Sequence, residues 1–307
     1  MTSPNHLFVI GAQKAGTTWL QHALDCDPRF ALPALQELHF FDHLVAQGRA
    51  GIDDYPAQFP RAGDDRATAR ITVEVTPNYL NRPDLIPDLR ACIERHGLVA
   101  RFVVVLREPV ARAFSDYQMQ RNRGRVPAGF ERALAARREI FEKGRYALHL
   151  DAWFAAFPRE DFCILYFDDI AGAPDAALAQ LSAFLGVSPT ITNAYAGAAV
   201  NVGGVDRVAA LTGLRASGGA VLRRMGLRGL VHRLKRTRLV QWVDRANKQR
   251  ETLDPVLAER LRVRYVPEID RLDRLVGLGP RRAAWGYGAD EPVAPGPADG
   301  ACDGKQS

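Results

Sequence analysis

The stretch Phe8-Val9-Ile10-Gly11-Ala12-Gln13-Lys14-Ala15-Gly16-Thr17-Thr18-Trp19-Leu20 constrains the chain most. An apolar strand enters a loop with two glycines and leaves into a helix. Small residues let backbone N–H groups approach an anion. The helix N-terminus adds unpaired donors and a partial positive charge. Thr17 and Thr18 add hydroxyls. The stretch therefore reads as a phosphate cradle, with an ordinary β–α turn as the plain alternative.

The loop differs from a nucleotide-triphosphate P-loop, which reads Gly-x-x-x-x-Gly-Lys-[Ser/Thr]. Gly11 and Gly16 have that spacing, but Thr17 stands where the lysine belongs and Lys14 lies inside the loop. The run Val103-Val104-Val105-Leu106 ends in Arg107, not in an acid that would help hold Mg²⁺. An anion handled without a metal fits better than a kinase or ATPase.

Short apolar runs alternate with helical patterns along the chain, which predicts an α/β fold: a parallel sheet flanked by helices, with further C-terminal helices. Strands are expected at Leu7–Ile10, Ile71–Glu74, Arg101–Leu106 and Phe162–Phe167. Phe102-Val103-Val104-Val105-Leu106 lacks polar alternation, as a strand buried on both faces should. Helices are expected over 17–25, 84–96, 109–121, 129–142, 146–157 and 175–185. Tyr146, Leu150, Trp153, Phe154 and Phe157 form one stripe, and Leu257, Leu261, Tyr265, Ile269, Leu272 and Val276 another. One domain over residues 1–288 is expected. From residue 289 the composition turns to Pro, Gly, Ala and Asp, which reads as a disordered tail.

Lys14 is followed down the chain by a second basic element. Arg107-Glu108-Pro109-Val110-Ala111-Arg112-Ala113-Phe114-Ser115 places a guanidinium at a strand end and a serine about two turns into the next helix. Together they suit one phosphate. Alone, Arg107 is equally a partner for a surface carboxylate and Ser115 an ordinary helix residue.

These elements resemble sulfotransferases that use 3′-phosphoadenosine 5′-phosphosulfate (PAPS). Gln36-Glu37-Leu38-His39-Phe40-Phe41-Asp42 and Glu74-Val75-Thr76-Pro77-Asn78-Tyr79 are similar to two elements of the heparan-sulfate N- and 3-O-sulfotransferases and their bacterial relatives. Gly144-Arg145-Tyr146, Phe184-Leu185-Gly186 and the segment from Leu253 to Trp285 also match bacterial members. The resemblance covers roughly residues 7–287. It implies PAPS as co-substrate, leaving as 3′-phosphoadenosine 5′-phosphate (PAP), and no metal.

By this resemblance the nucleotide is held by Gln13, Lys14, Ala15, Gly16, Thr17, Thr18, Arg107 and Ser115, with Tyr146 and Arg207 as further contacts. Tyr146 equally fits the core stripe of its helix. Glu37 is implied as general base, Lys14 as the cation on the leaving phosphate, and His39 as orienting Glu37 or the acceptor. A solvated carboxylate and a packed histidine are the plain readings of Glu37 and His39. Glu74 either positions the base, binds acceptor or caps local structure. Gln36 and Val75 replace lysines common in the family, and no Lys-Gly-Arg loop follows Phe184-Leu185-Gly186. The acceptor implied is thus a hydroxyl or amine of a carbohydrate or small molecule, not heparan in particular. A small-molecule kinase and a catalytically idle nucleotide-binding module are the alternatives.

Charge is uneven. Residues 206–250 hold twelve Lys/Arg and two Asp, a net of +10 against +6 for the whole chain, so the remainder is net −4. Leu227, Leu230, Val231 and Leu234 follow helical spacing there, with Arg224, Arg228 and Lys235 elsewhere on the helix. This segment suits an acidic acceptor, peripheral contact with an anionic membrane, or a solvated helix. The overall balance is too weak for a nucleic-acid partner. No apolar run approaches the ~18 residues of a membrane span, and Leu7-Phe8-Val9-Ile10 is too short for a signal peptide. A cytoplasmic protein is expected. The four cysteines, at 26, 92, 163 and 302, are too scattered for a Cys-x-x-Cys site and read as reduced thiols.

Overall fold

The computed structural model describes residues 5–60, 69–192, 205–206, 248–249 and 251–288. Five strands form one all-parallel sheet: β1 (His6–Gly11), β2 (Phe30–Ala31), β3 (Ile71–Val75), β4 (Ala100–Leu106) and β5 (Phe162–Tyr166), in the order β2-β3-β1-β4-β5. β1 is central and wholly buried, and Phe102 to Leu106 of β4 are buried too. That burial explains why neither strand alternates. The chain runs from β1 to one side of the sheet, then crosses after β3 to the other. Such a switch point leaves a crevice at the carboxyl ends of the strands.

Helices α1 (Thr17–Asp25), α2 (Ile86–Arg95), α3 (Pro109–Asn122), α4 (Phe130–Ala136), α5 (Glu139–Glu142), α6 (Tyr146–Ala156), α7 (Phe167–Gly172) and α8 (Pro174–Leu185) accompany the sheet. α3 starts cleanly because Pro109 takes its first position and Glu108 accepts from Val110 N at 3.0 Å and Ala111 N at 2.5 Å. Val205–Asp206 (β6) pairs antiparallel with Lys248–Gln249 (β7). α9 (Pro255–Val276) begins at the Asp254 cap and ends at Gly277, φ 69°; α10 (Pro280–Ala284) follows. Leu261, Tyr265, Ile269 and Leu272 of α9 are buried, as their spacing predicts.

Three details differ from expectation. The helix expected over 129–142 is broken at Arg137, which leaves the helical region at φ −137°, ψ 90°. The break turns Ile140 inward, where its carbonyl accepts from the buried Arg112 guanidinium. β5 stops at Tyr166, because Phe167 opens α7. β2 is only two residues long and carried no readable period. Arg207, nearly all of the basic segment 206–250, and the tail from 289 lie outside the described residues. Among those described, no helix is long and apolar enough to cross a membrane, and Cys26, Cys92 and Cys163 are free thiols.

Candidate active site

The glycine loop sits at the carboxyl end of β1. A Cβ on Gly11 would fall 2.6 Å from Leu80 Cβ, so only glycine lets the strand end pass that side chain. Ala12 N donates to Val105 O at 2.9 Å, anchoring the loop to β4, and Ala15 N closes a turn onto Ala12 O at 3.2 Å. Lys14 (φ 73°) and Gly16 (φ 93°) are both left-handed. For lysine this region costs energy and persists only where the surroundings impose it. The first turn of α1 follows at once, and among the described residues no side chain caps it, so its leading N–H groups can meet an anion.

Arg107 joins this loop from the end of β4. Its Nη1 donates to Lys14 O at 3.0 Å, and its guanidinium lies 4.3 Å from the centroid of the Phe167 ring. Phe167 also packs beside Gly16, where a Cβ would stand 3.1 Å from the ring. Among the described residues Arg107 makes no ion pair, and burial holds its pKa below the ordinary arginine value. A partly buried guanidinium without a carboxylate is suited to a phosphate. Ser115 is partly exposed on α3, and its hydroxyl has no partner among the described residues. Tyr146 takes a different place. It is wholly buried and donates to Arg107 O at 2.9 Å, so it follows the core stripe and steadies Arg107's backbone.

Glu37 and His39 stand in a second array. Gln21 of α1 donates to Gln36 O at 2.8 Å, tying the Glu37 segment to the helix that the glycine loop starts. His39 (φ 52°) precedes a π-helical turn, Phe40–Val45. Its Nε2 faces Glu37 Oε2 at 3.2 Å and its Nδ1 faces Asp42 Oδ2 at 3.0 Å. Asn78 Nδ2 donates to the same Asp42 oxygen at 2.7 Å. The hydrogen bond to Asp42, and then that to Glu37, raise the His39 pKa to about 9 against the opposing effect of burial. Burial pushes the Asp42 carboxyl up, but the bonds from His39 and Asn78 outweigh it and hold the pKa below the usual range. His39 is therefore an imidazolium at neutral pH that holds Glu37 in place and has no site for another proton. The half-exposed Glu37 carboxylate is left facing solvent.

A buried layer supports this array. Thr76 Oγ1 accepts from His39 N at 3.3 Å and donates to Glu74 Oε1 at 3.0 Å. Tyr79 and Tyr55 donate to Glu74 at 2.5 and 2.6 Å, and Tyr79 also accepts from Phe41 N at 3.1 Å. Glu74 is buried and cannot touch an acceptor. Its burial raises its pKa despite three donors. Of its expected roles, positioning the base and a purely structural one remain. Tyr79→Phe leaves Glu74 Oε1 short of a donor and Phe41 N without an acceptor. The expected loss is about 1–3 kcal/mol in urea unfolding, with the slope of the transition unchanged.

The raised His39 pKa also predicts a pH effect. Its contribution to stability is complete below about 6.5 and is lost as pH rises to about 9. The gap in melting temperature between wild type and His39→Asn should accordingly shrink across that window. A gap that widens with pH would show His39 to be neutral.

Asp42, Asn78 and Phe167 belong to the site although no role was read for them. His39, Asp42 and His43 also bring donor atoms within 4.8 Å of one another, a spacing a metal ion would accept. In this structure both His39 nitrogens and Asp42 face hydrogen-bond partners.

The sulfotransferase domain model matches residues 4–196. Mouse heparan sulfate glucosamine 3-O-sulfotransferase 6 is 29% identical over 198 residues, covering 61% of this chain and 54% of its own length. Human heparan sulfate glucosamine 3-O-sulfotransferase 5 is 26% identical over 196 residues, covering 60% and 54%. The chain thus spans about half the length of the curated relatives it matches. A sulfotransferase from Alicyclobacillus acidocaldarius shares the fold, with a TM-score of 0.51 at 23% identity, covering 76% of this chain and 97% of its own. The family match takes in the glycine loop, the Glu37–Asp42 relay, Arg107 and Ser115, and by it this chain belongs to the sulfotransferase domain family.

Proposed function

We propose that the chain transfers SO₃ from PAPS to a hydroxyl or amine of a carbohydrate or small-molecule acceptor. The observation that carries this is the Glu37–His39–Asp42 relay, tethered through Gln21 to the helix of the anion-binding loop. In this reading the loop N–H groups, Thr17 and Thr18 hold the 5′-phosphosulfate. Arg107 and Ser115 take the 3′-phosphate. Glu37 accepts the acceptor's proton as the acceptor oxygen or nitrogen bonds to sulfur. The bond from sulfur to the bridging oxygen breaks, PAP leaves with that electron pair, and Lys14 offsets the charge it gains. His39 stays protonated throughout and holds Glu37 in line. The proton on Glu37 then passes to solvent.

The heparan-sulfate relatives favour a carbohydrate acceptor. Incubation with ³⁵S-labelled PAPS and a panel of glycosaminoglycan oligosaccharides, simple glycosides and amino sugars tests the proposal. Label is expected on at least one acceptor, with PAP released in equal amount. A protein that binds PAP tightly yet moves label to no member of the panel would instead be a nucleotide-binding module without turnover.

A further inference from the structure

The turn between α5 and α6 brings a second lysine to the glycine loop. Lys143 Nζ donates to Gln13 Oε1 at 2.8 Å and stands 3.9 Å from Asp116 Oδ2. Its side chain is only 14% exposed. Asp116, the residue after Ser115 on α3, is fully buried and already faces the buried Arg112 guanidinium at 3.3 Å. One buried carboxylate thus serves two cations, and a net positive charge lies behind the loop. Burial holds the Lys143 pKa below the ordinary lysine value, with Asp116 pulling the other way.

The turn is built to hold this lysine in place. Tyr265 donates to Phe141 O at 2.6 Å and stacks on the Phe141 ring at 4.1 Å. A Cβ at Gly144 would lie 2.5 Å from the Tyr265 hydroxyl, so the residue after Lys143 has to be glycine. Two residues further on, Tyr146 is fastened to Arg107 O. Lys143 is therefore fixed from both sides.

An ammonium has donors only, so the carboxamide face that meets it must be the oxygen. This settles the orientation of Gln13: Oε1 points at Lys143 and the NH₂ group points away from it. We infer that Lys143 is a positioning residue of the anion site, which through Gln13 presents two amide N–H donors to the phosphosulfate of PAPS. The role rests on the reading of the loop as the seat of PAPS. It adds a positive charge and a fixed donor pair that Lys14 alone does not supply.

Calorimetric titration of PAPS into wild type, Lys143→Met, Lys143→Arg, Gln13→Ala and the Lys143→Met/Gln13→Ala pair tests it, with PAP as a second titrant. Lys143→Met should raise the Kd for PAPS about tenfold, the effect of losing one hydrogen bond to a charged group. Lys143→Arg should restore most of the affinity. Gln13→Ala leaves the buried cluster intact and should reproduce most of the loss, and adding Lys143→Met to it should cost less than about threefold more. A wild-type Kd in Lys143→Met or in Gln13→Ala would overturn the role, as would a full tenfold further loss in the double variant. Wild type that binds neither PAPS nor PAP would overturn the reading of the loop itself, which separates the two failures.

Discussion

Glu37→Gln is expected to lower turnover by about 10²–10⁴, the usual range for removing a general base, with PAP affinity nearly unchanged. Glutamine keeps the size of the side chain and an oxygen to accept from His39 Nε2, which stands 3.2 Å from the carboxylate. It cannot take the acceptor's proton. Its two partners in the array are poorly placed to substitute: His39 in the wild type is already protonated, with a pKa of about 9 that its bond to Asp42 does most to raise, and Asp42 is buried with its oxygens committed to His39 and Asn78. Single-turnover kinetics with bound PAPS would separate this loss from any change in product release. A variant that keeps more than about half of wild-type turnover would place the base elsewhere.

Arg107→Ala is expected to weaken PAP binding by about 2–5 kcal/mol, the range for truncating one partner of a buried charge pair. The guanidinium is fixed before any ligand arrives, by Lys14 O at 3.0 Å and by the Phe167 ring, so little ordering is left for binding to oppose. Its removal also frees the left-handed Lys14 turn. Arg107→Lys should recover only part of the loss, because an ammonium lacks the planar fork. Isothermal titration measures both. An Arg107→Ala affinity within twofold of wild type would remove Arg107 from the site.

What was legible in the sequence was local. The glycine loop follows directly on β1 and announces itself by residue type. Arg107 closes an uninterrupted apolar strand, and Ser115 follows at helical spacing. Glu37 and His39 rest on the same kind of short element. The parts that were not legible are those made by unusual backbone turns or by contacts distant in sequence. Asp42 lies three residues after His39, but it meets the ring only because His39 is left-handed and a π-helical turn follows. Neither feature has a readable pattern. The support for Glu74 comes from Tyr55, in a stretch without periodicity, so its burial could not be foreseen. Lys143 reaches Gln13 across 130 positions of sequence. Tyr146 fits two readings equally in the sequence, and its complete burial in the core stripe could not be read there. Phe167 was assigned to the strand because an aromatic residue suits either a strand end or a helix start. Its ring is what sets Arg107 beside Gly16.

The loop and Arg107 are expected to hold a 3′-phosphorylated adenine nucleotide without a metal. Calorimetric titration of the wild-type chain with PAP and with ATP, each with and without a chelator of divalent cations, tests it most directly. The expected result is that PAP binds more tightly than ATP and that the chelator leaves its Kd unchanged. ATP binding more tightly than PAP, or PAP binding that disappears with the chelator, would contradict the assignment.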